Sequence, residues 1–100
     1  MPQVNQAKIL IKIPAGISFK FHSWGDEHIV YNSGSGNTHL VDELTYFTLK
    51  CVKPNPCDAM MIYQDVANAA KLDLDEDLKA HLMQIVSELK KSQLIELYSV

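Results

Sequence analysis

The hydrophobic period of this chain changes at Asp42, and that change limits what the chain can fold into. Before it, Ile17, Phe19 and Phe21 alternate with Ser18, Lys20 and His22, the period of a half-buried strand. After it, Leu78, Leu82, Ile85, Val86 and Leu89 recur at the spacing of an amphipathic helix. Strands followed by helices indicate an α+β domain rather than alternating βα units. At 100 residues the chain has the length of one domain, residues 1–100, large enough for its own core.

The strand half divides at its turns. Ile9 to Ile13 alternates around Lys12 until Pro14-Ala15-Gly16 breaks it, so residues 1–16 read as an extra strand or arm. Ile17 to His22 is the first strand of a meander, with a turn at Gly25-Asp26-Glu27. His28 to Tyr31 is the second strand, Ser33 to Gly36 turns the chain again, and Thr38 to Val41 is the third. Hairpins at both turns place residue 22 opposite 30 and 30 opposite 39. In that register Phe19, Phe21, Ile29, Tyr31 and Leu40 share the core face. The other face carries His22, Trp24, His28, Val30, His39 and Val41. A slip of one residue exchanges the two faces.

The helical half has readable ends. Asp42 suits the N-cap of a first helix, Glu43 to about Val52, with Leu44, Phe47 and Cys51 on its inner face. Pro54 and Pro56 end it. A second helix is expected from about Asp58 to Ala70, with Ile62, Val66 and Ala69 or Ala70 inward. Asp73 with Glu76, or Asp75, starts the third. Leu94 to Tyr98 forms a short closing strand. A three-stranded antiparallel meander, three helices and a short C-terminal strand suggest a winged-helix-like domain.

Several function classes fit poorly. Net charge is −3, which disfavours a phosphate-neutralising surface. The third helix would be the recognition helix of a DNA-binding regulator, the alternative reading, yet it opens with Asp75-Glu76-Asp77. No apolar run approaches the roughly 18 residues of a membrane span. No basic segment leads into an apolar one at the N-terminus, so no signal peptide is expected and the cytoplasm is the expected compartment. Two cysteines, Cys51 and Cys57, make no zinc framework. The glycine loop in NSGSGNTHLVDE (32–43) lacks a lysine after its second glycine, has His39 where a dinucleotide motif needs glycine, and enters a strand. It reads as a hairpin loop. His22, His28 and His39 share a face in the register above, but no carboxylate or cysteine completes a metal set, so no metal or other cofactor is expected. No nucleophile motif occurs, and no catalytic residues are assigned.

The third strand remains. At the edge of a meander it offers unpaired backbone groups to which an extended peptide can add. On the third helix Met83 falls off the apolar stripe, suited to adaptable contacts.

Ser23-Trp24-Gly25-Asp26-Glu27-His28-Ile29-Val30-Tyr31, followed by Ser35-Gly36-Asn37-Thr38-His39-Leu40-Val41-Asp42, resembles the PqqD family. It is most similar to the HPr-rel-A system PqqD family peptide chaperones. Leu89 and Leu94-Ile95-Glu96 resemble that family's ending, and the resemblance spans roughly residues 17–97. Glu43 stands where relatives often have proline, Thr45 to Thr48 replaces a more alanine-rich segment, and Ser92-Gln93 replaces a usual glycine. The resemblance implies a non-enzymatic adaptor, a RiPP recognition element, that binds the leader segment of a precursor peptide and presents it to a modifying enzyme. Its implied peptide contacts are Thr38, His39, Leu40 and Val41 on the strand and Lys79, Met83 and Val86 on the third helix. An HPr-kinase-related protein is an implied partner. A third reading of the chain, apart from the resemblance, is a purely structural homodimer in which Ile9 to Ile13 pairs with a neighbour's edge strand.

Overall fold

The computed structural model describes residues 8–99. Its elements are β1 (Ile9–Lys12), β2 (Phe19–Trp24), β3 (Glu27–Asn32), β4 (Thr38–Val41), α1 (Glu43–Cys51), β5 (Cys57–Asp58), α2 (Ala59–Ala70), α3 (Glu76–Lys91) and β6 (Glu96–Ser99). The fold is α+β, with the antiparallel meander, three helices and closing strand in the expected order. No described helix is long and apolar enough to cross a membrane.

Two sheets share the strands. The meander has the order β2-β3-β4, and β1 lies in the middle of a second sheet, β5-β1-β6. Ile9 to Lys12 pairs along its whole length with Ser99 to Glu96, and Leu10 and Ile11 also pair with Asp58 and Cys57. β1 is therefore an internal strand that ties the two chain ends together. It has no free edge along Leu10–Ile11, and the expected dimer contact through Ile9 to Ile13 is replaced by pairing within the chain. The part of the expected arm before Lys8 lies outside the described residues.

The register of the first hairpin differs from expectation by one residue. Its turn is two residues long, Gly25-Asp26, because Trp24 pairs with Glu27. Gly25 takes φ +55 at the first central position, where a II′ turn needs a positive value. A three-residue turn puts residue 22 opposite 30; this shorter one puts Phe21 opposite Val30 and His22 opposite Ile29. The second hairpin has the expected pairing of Val30 with His39. The faces are consequently remixed. Phe19, Phe21, His28, Val30, Asn32, His39 and Val41 share the inner face, while Lys20, His22, Trp24, Glu27, Ile29, Tyr31, Thr38 and Leu40 share the outer one.

Packing explains which face is inside. Val30 is fully buried, and α1 lays Tyr46 across the inner face, with its ring 5.5 Å from Phe21 and 4.7 Å from His28. Lys50 follows one turn later, its ammonium 5.1 Å from the Tyr46 centroid. The buried residues of α1 are Tyr46, Thr48 and Leu49; the expected Leu44, Phe47 and Cys51 are only partly buried beside them. On α2, Ile62 and Val66 are buried as expected, with Ala67 rather than Ala69 or Ala70. Leu82, Ile85, Val86 and Leu89 of α3 complete the core with Ile11, Leu94 and Ile95. Asp75, not Asp73, caps α3 by accepting from the Leu78 amide at 2.8 Å. After α3, Gln93 adopts φ +64, the left-handed conformation glycine takes most easily.

The loop of residues 33–37 closes on itself. Asn32, 5% exposed, accepts from the Gly34 amide at 2.8 Å and the Ser35 amide at 3.4 Å through its side chain. The Gly36 amide donates to the Asn32 carbonyl, the Asn37 amide to Ser35 Oγ, and the Ser33 amide to the Ser18 carbonyl. Every amide from 33 to 37 is thus engaged, and none is free for a phosphate. Gly34 is required for a different reason, since a Cβ there would stand 2.7 Å from Ile17 Cγ1.

Candidate peptide-binding edge

Among the described residues β4 pairs only with β3, and its other edge carries no strand. The ladder determines which groups point outward. The Asn32 amide donates to the Asn37 carbonyl, which fixes 32 and 37 as a hydrogen-bonded position. In an antiparallel ladder such positions recur at every second residue. His39 and Val41 therefore direct their N–H and C=O groups to Val30 and His28, while Thr38 and Leu40 direct theirs outward.

Two points tie this strand to α3 and the residues that follow it. At one end, His39 lines a cleft of about 480 Å³ with Asn32, Asn37, Ser92, Gln93 and Leu94. At the other end, Asp42 is close enough to His81 of α3 to feel its charge. From residue 81 to 92 an α-helix rises roughly 16 Å, which suits an extended segment of about five residues. Between those ends the same flank of the helix carries Ile85, nearly buried, and Glu88, exposed.

Asp42 joins the edge to the helices. Its carboxylate accepts from the Thr45 amide at 2.8 Å and caps α1. Partial burial raises its pKa, but the Thr45 hydrogen bonds and the charges of His81 and His28 outweigh that, leaving it below the ordinary 3.8. A lowered carboxyl pKa contributes stability above the unfolded-state value and loses it as pH falls through the folded-state value. Asp42→Ala is expected to destabilise the domain by about 1 kcal/mol at neutral pH. The difference from wild type should shrink in urea titrations below the unfolded value of 3.8.

The α3 residues expected at this edge are not gathered there. Val86 is 3% exposed and belongs to the core. Lys79 and Met83 line a separate cleft of about 430 Å³ with Lys8, Ile9, Met60 and Tyr63. They lie roughly 160–200° around the helix from His81. Thr38 and Leu40 are exposed, and His39 and Val41 are half-buried. Sequence reasoning missed His81, which a helical wheel singles out only once the rotation of α3 against the sheet is known.

Other chemistry is not assembled. His22 lies on the outer sheet face and His28 and His39 on the inner one, so the three imidazoles expected on one face are split. Among the described residues no group of three His, Cys, Asp or Glu side chains is placed to hold a metal ion. Burial, with a contribution from Asp65, pushes the Cys51 thiol up, away from the thiolate a nucleophile needs. At the start of α3, Glu76 and Asp77 are exposed and would face incoming phosphates. No protein-family model, curated protein or solved structure matches the chain.

Proposed function

We propose that this domain is a non-catalytic, cytoplasmic peptide adaptor of the winged-helix-like kind, and that an extended peptide adds to the open edge of β4. The observation that carries the reading is the outward N–H and C=O of Thr38 and Leu40 beside the α3 flank. Backbone pairing supplies affinity in such a mode, and alternate side chains of the peptide supply specificity. Half of them would point toward the side of α3 that carries His81. The stretch that resembles the PqqD family, residues 23–42, includes this strand. That supports a precursor-peptide leader as the ligand and a modifying enzyme, or an HPr-kinase-related protein, as the recipient.

Leu40→Pro tests the reading. The Leu40 amide points away from β3, so the ladder within the domain survives its removal, and proline is tolerated on the outer side of an edge strand. Peptides selected from a displayed library against the wild-type domain should bind the variant about tenfold more weakly or worse, the equivalent of one lost hydrogen bond plus steric obstruction. The circular dichroism spectrum should be unchanged. Unaltered affinity in the folded variant would remove β4 as the binding edge.

A further inference from the structure

The outer face of the meander is covered by nothing among the described residues. Trp24 is 57% exposed, Leu40 69% and Tyr31 37%, and half-buried Ile29 lies between them. Cross-strand pairing places them in three rows: Lys20, Tyr31 and Thr38; His22, Ile29 and Leu40; Trp24 and Glu27. Their exposed apolar surface amounts to roughly 400 Å², as large as the largest patch on an ordinary monomer. Within the patch the His22 ring lies 3.9 Å from the Trp24 indole.

We propose that this face is a self-association interface, with two copies of the domain packing their outer sheet faces together. Charge placement favours a second copy over an unrelated partner. Lys20 stands at one end of the face and Trp24 with Glu27 at the other. A two-fold axis lying in the interface and crossing the strands turns one sheet antiparallel to its mate. The middle row, His22-Ile29-Leu40, then meets its own copy. Each Lys20 ammonium comes over the indole of the partner's Trp24, near the carboxylate of the partner's Glu27. An ammonium over an indole face is an attractive pairing, and like charges are kept apart at both ends. The area agrees with this occupant. Counting the polar side chains of the face, each copy contributes on the order of 600 Å², and a pair reaches the lower bound of specific interfaces. Face-to-face packing uses side chains only. It leaves the β4 edge of each copy open, so the dimer would present two edges to a peptide.

Sedimentation equilibrium of the full chain tests the proposal. A monomer–dimer equilibrium with a Kd on the order of 10 μM is expected for an interface of this size. Trp24→Lys with Tyr31→Lys should give a monomer with an unchanged circular dichroism spectrum. Lys20→Glu should weaken the dimer roughly tenfold, and adding Glu27→Lys should recover part of that loss through the ionic half of the pairing, the indole half staying lost. A wild-type chain that stays monomeric well above that concentration overturns the proposal. So does a dimer that survives Trp24→Lys with Tyr31→Lys, or a double charge reversal that fails to rescue.

Discussion

Val30→Asp is expected to lower the unfolding free energy by about 4 kcal/mol or more, while Tyr31→Asp, one residue along the same strand, changes it by about 1 kcal/mol or less. Val30 is fully buried between Phe21 and His39, under Tyr46. A carboxylate there would sit in a fully buried apolar position, cut off from water. Domains of this length have roughly 5–15 kcal/mol of total stability, so much of it would be lost. Tyr31 is 37% exposed on the opposite face, where a carboxylate remains hydrated. Urea unfolding followed by circular dichroism measures both variants. The reverse order of effects would show that the sheet pairs in the register with residue 22 opposite 30, turning Tyr31 inward.

Leu82→Ala is expected to destabilise by about 3 kcal/mol, which at this size lowers Tm by roughly 12–24 °C. Leu82 is fully buried in the middle of α3, within the cluster that includes Ile62, Val66 and Ile11. Three helices and β1 meet there, so the backbone has little freedom to close around a missing side chain. Leu82→Met nearly preserves volume and should stay within about 1.5 kcal/mol of wild type. Calorimetry on the pair separates loss of packing from loss of helix propensity, since alanine is the better helix former. A small effect in Leu82→Ala would mean that α3 does not dock as described.

The helices were legible because their signals are local. Asp42 caps a helix at the position its sequence context indicates, and α3 buries the stripe that its period picks out. The first hairpin was not, because its register turns on whether Glu27 belongs to the turn or to the strand. One residue decides that, and with it the side on which Ile29, Tyr31 and Leu40 lie. Composition gives no warning, since both faces carry apolar residues. The pairing of β1 with β6 was equally hidden. It joins residues 9–12 to 96–99, a contact that no local pattern encodes. The open edge at Thr38 to Val41 was readable from strand order alone. Which α3 residues flank it was not, because that depends on how the helix rotates against the sheet. Met83 looked suited to the groove for being off the apolar stripe, but His81 is off it too, and it is His81 whose charge reaches Asp42 at the end of β4.

Site-resolved amide hydrogen exchange along β4 tests the open edge most directly. In the free domain the amides of His39 and Val41, bonded to β3, should exchange slowly, and those of Thr38 and Leu40 should exchange fast. A bound peptide should bring Thr38 and Leu40 into the protected class and leave His39 and Val41 as they were. Thr38 and Leu40 amides already protected in the free domain, or still exchanging fast with peptide bound, would contradict strand addition at β4.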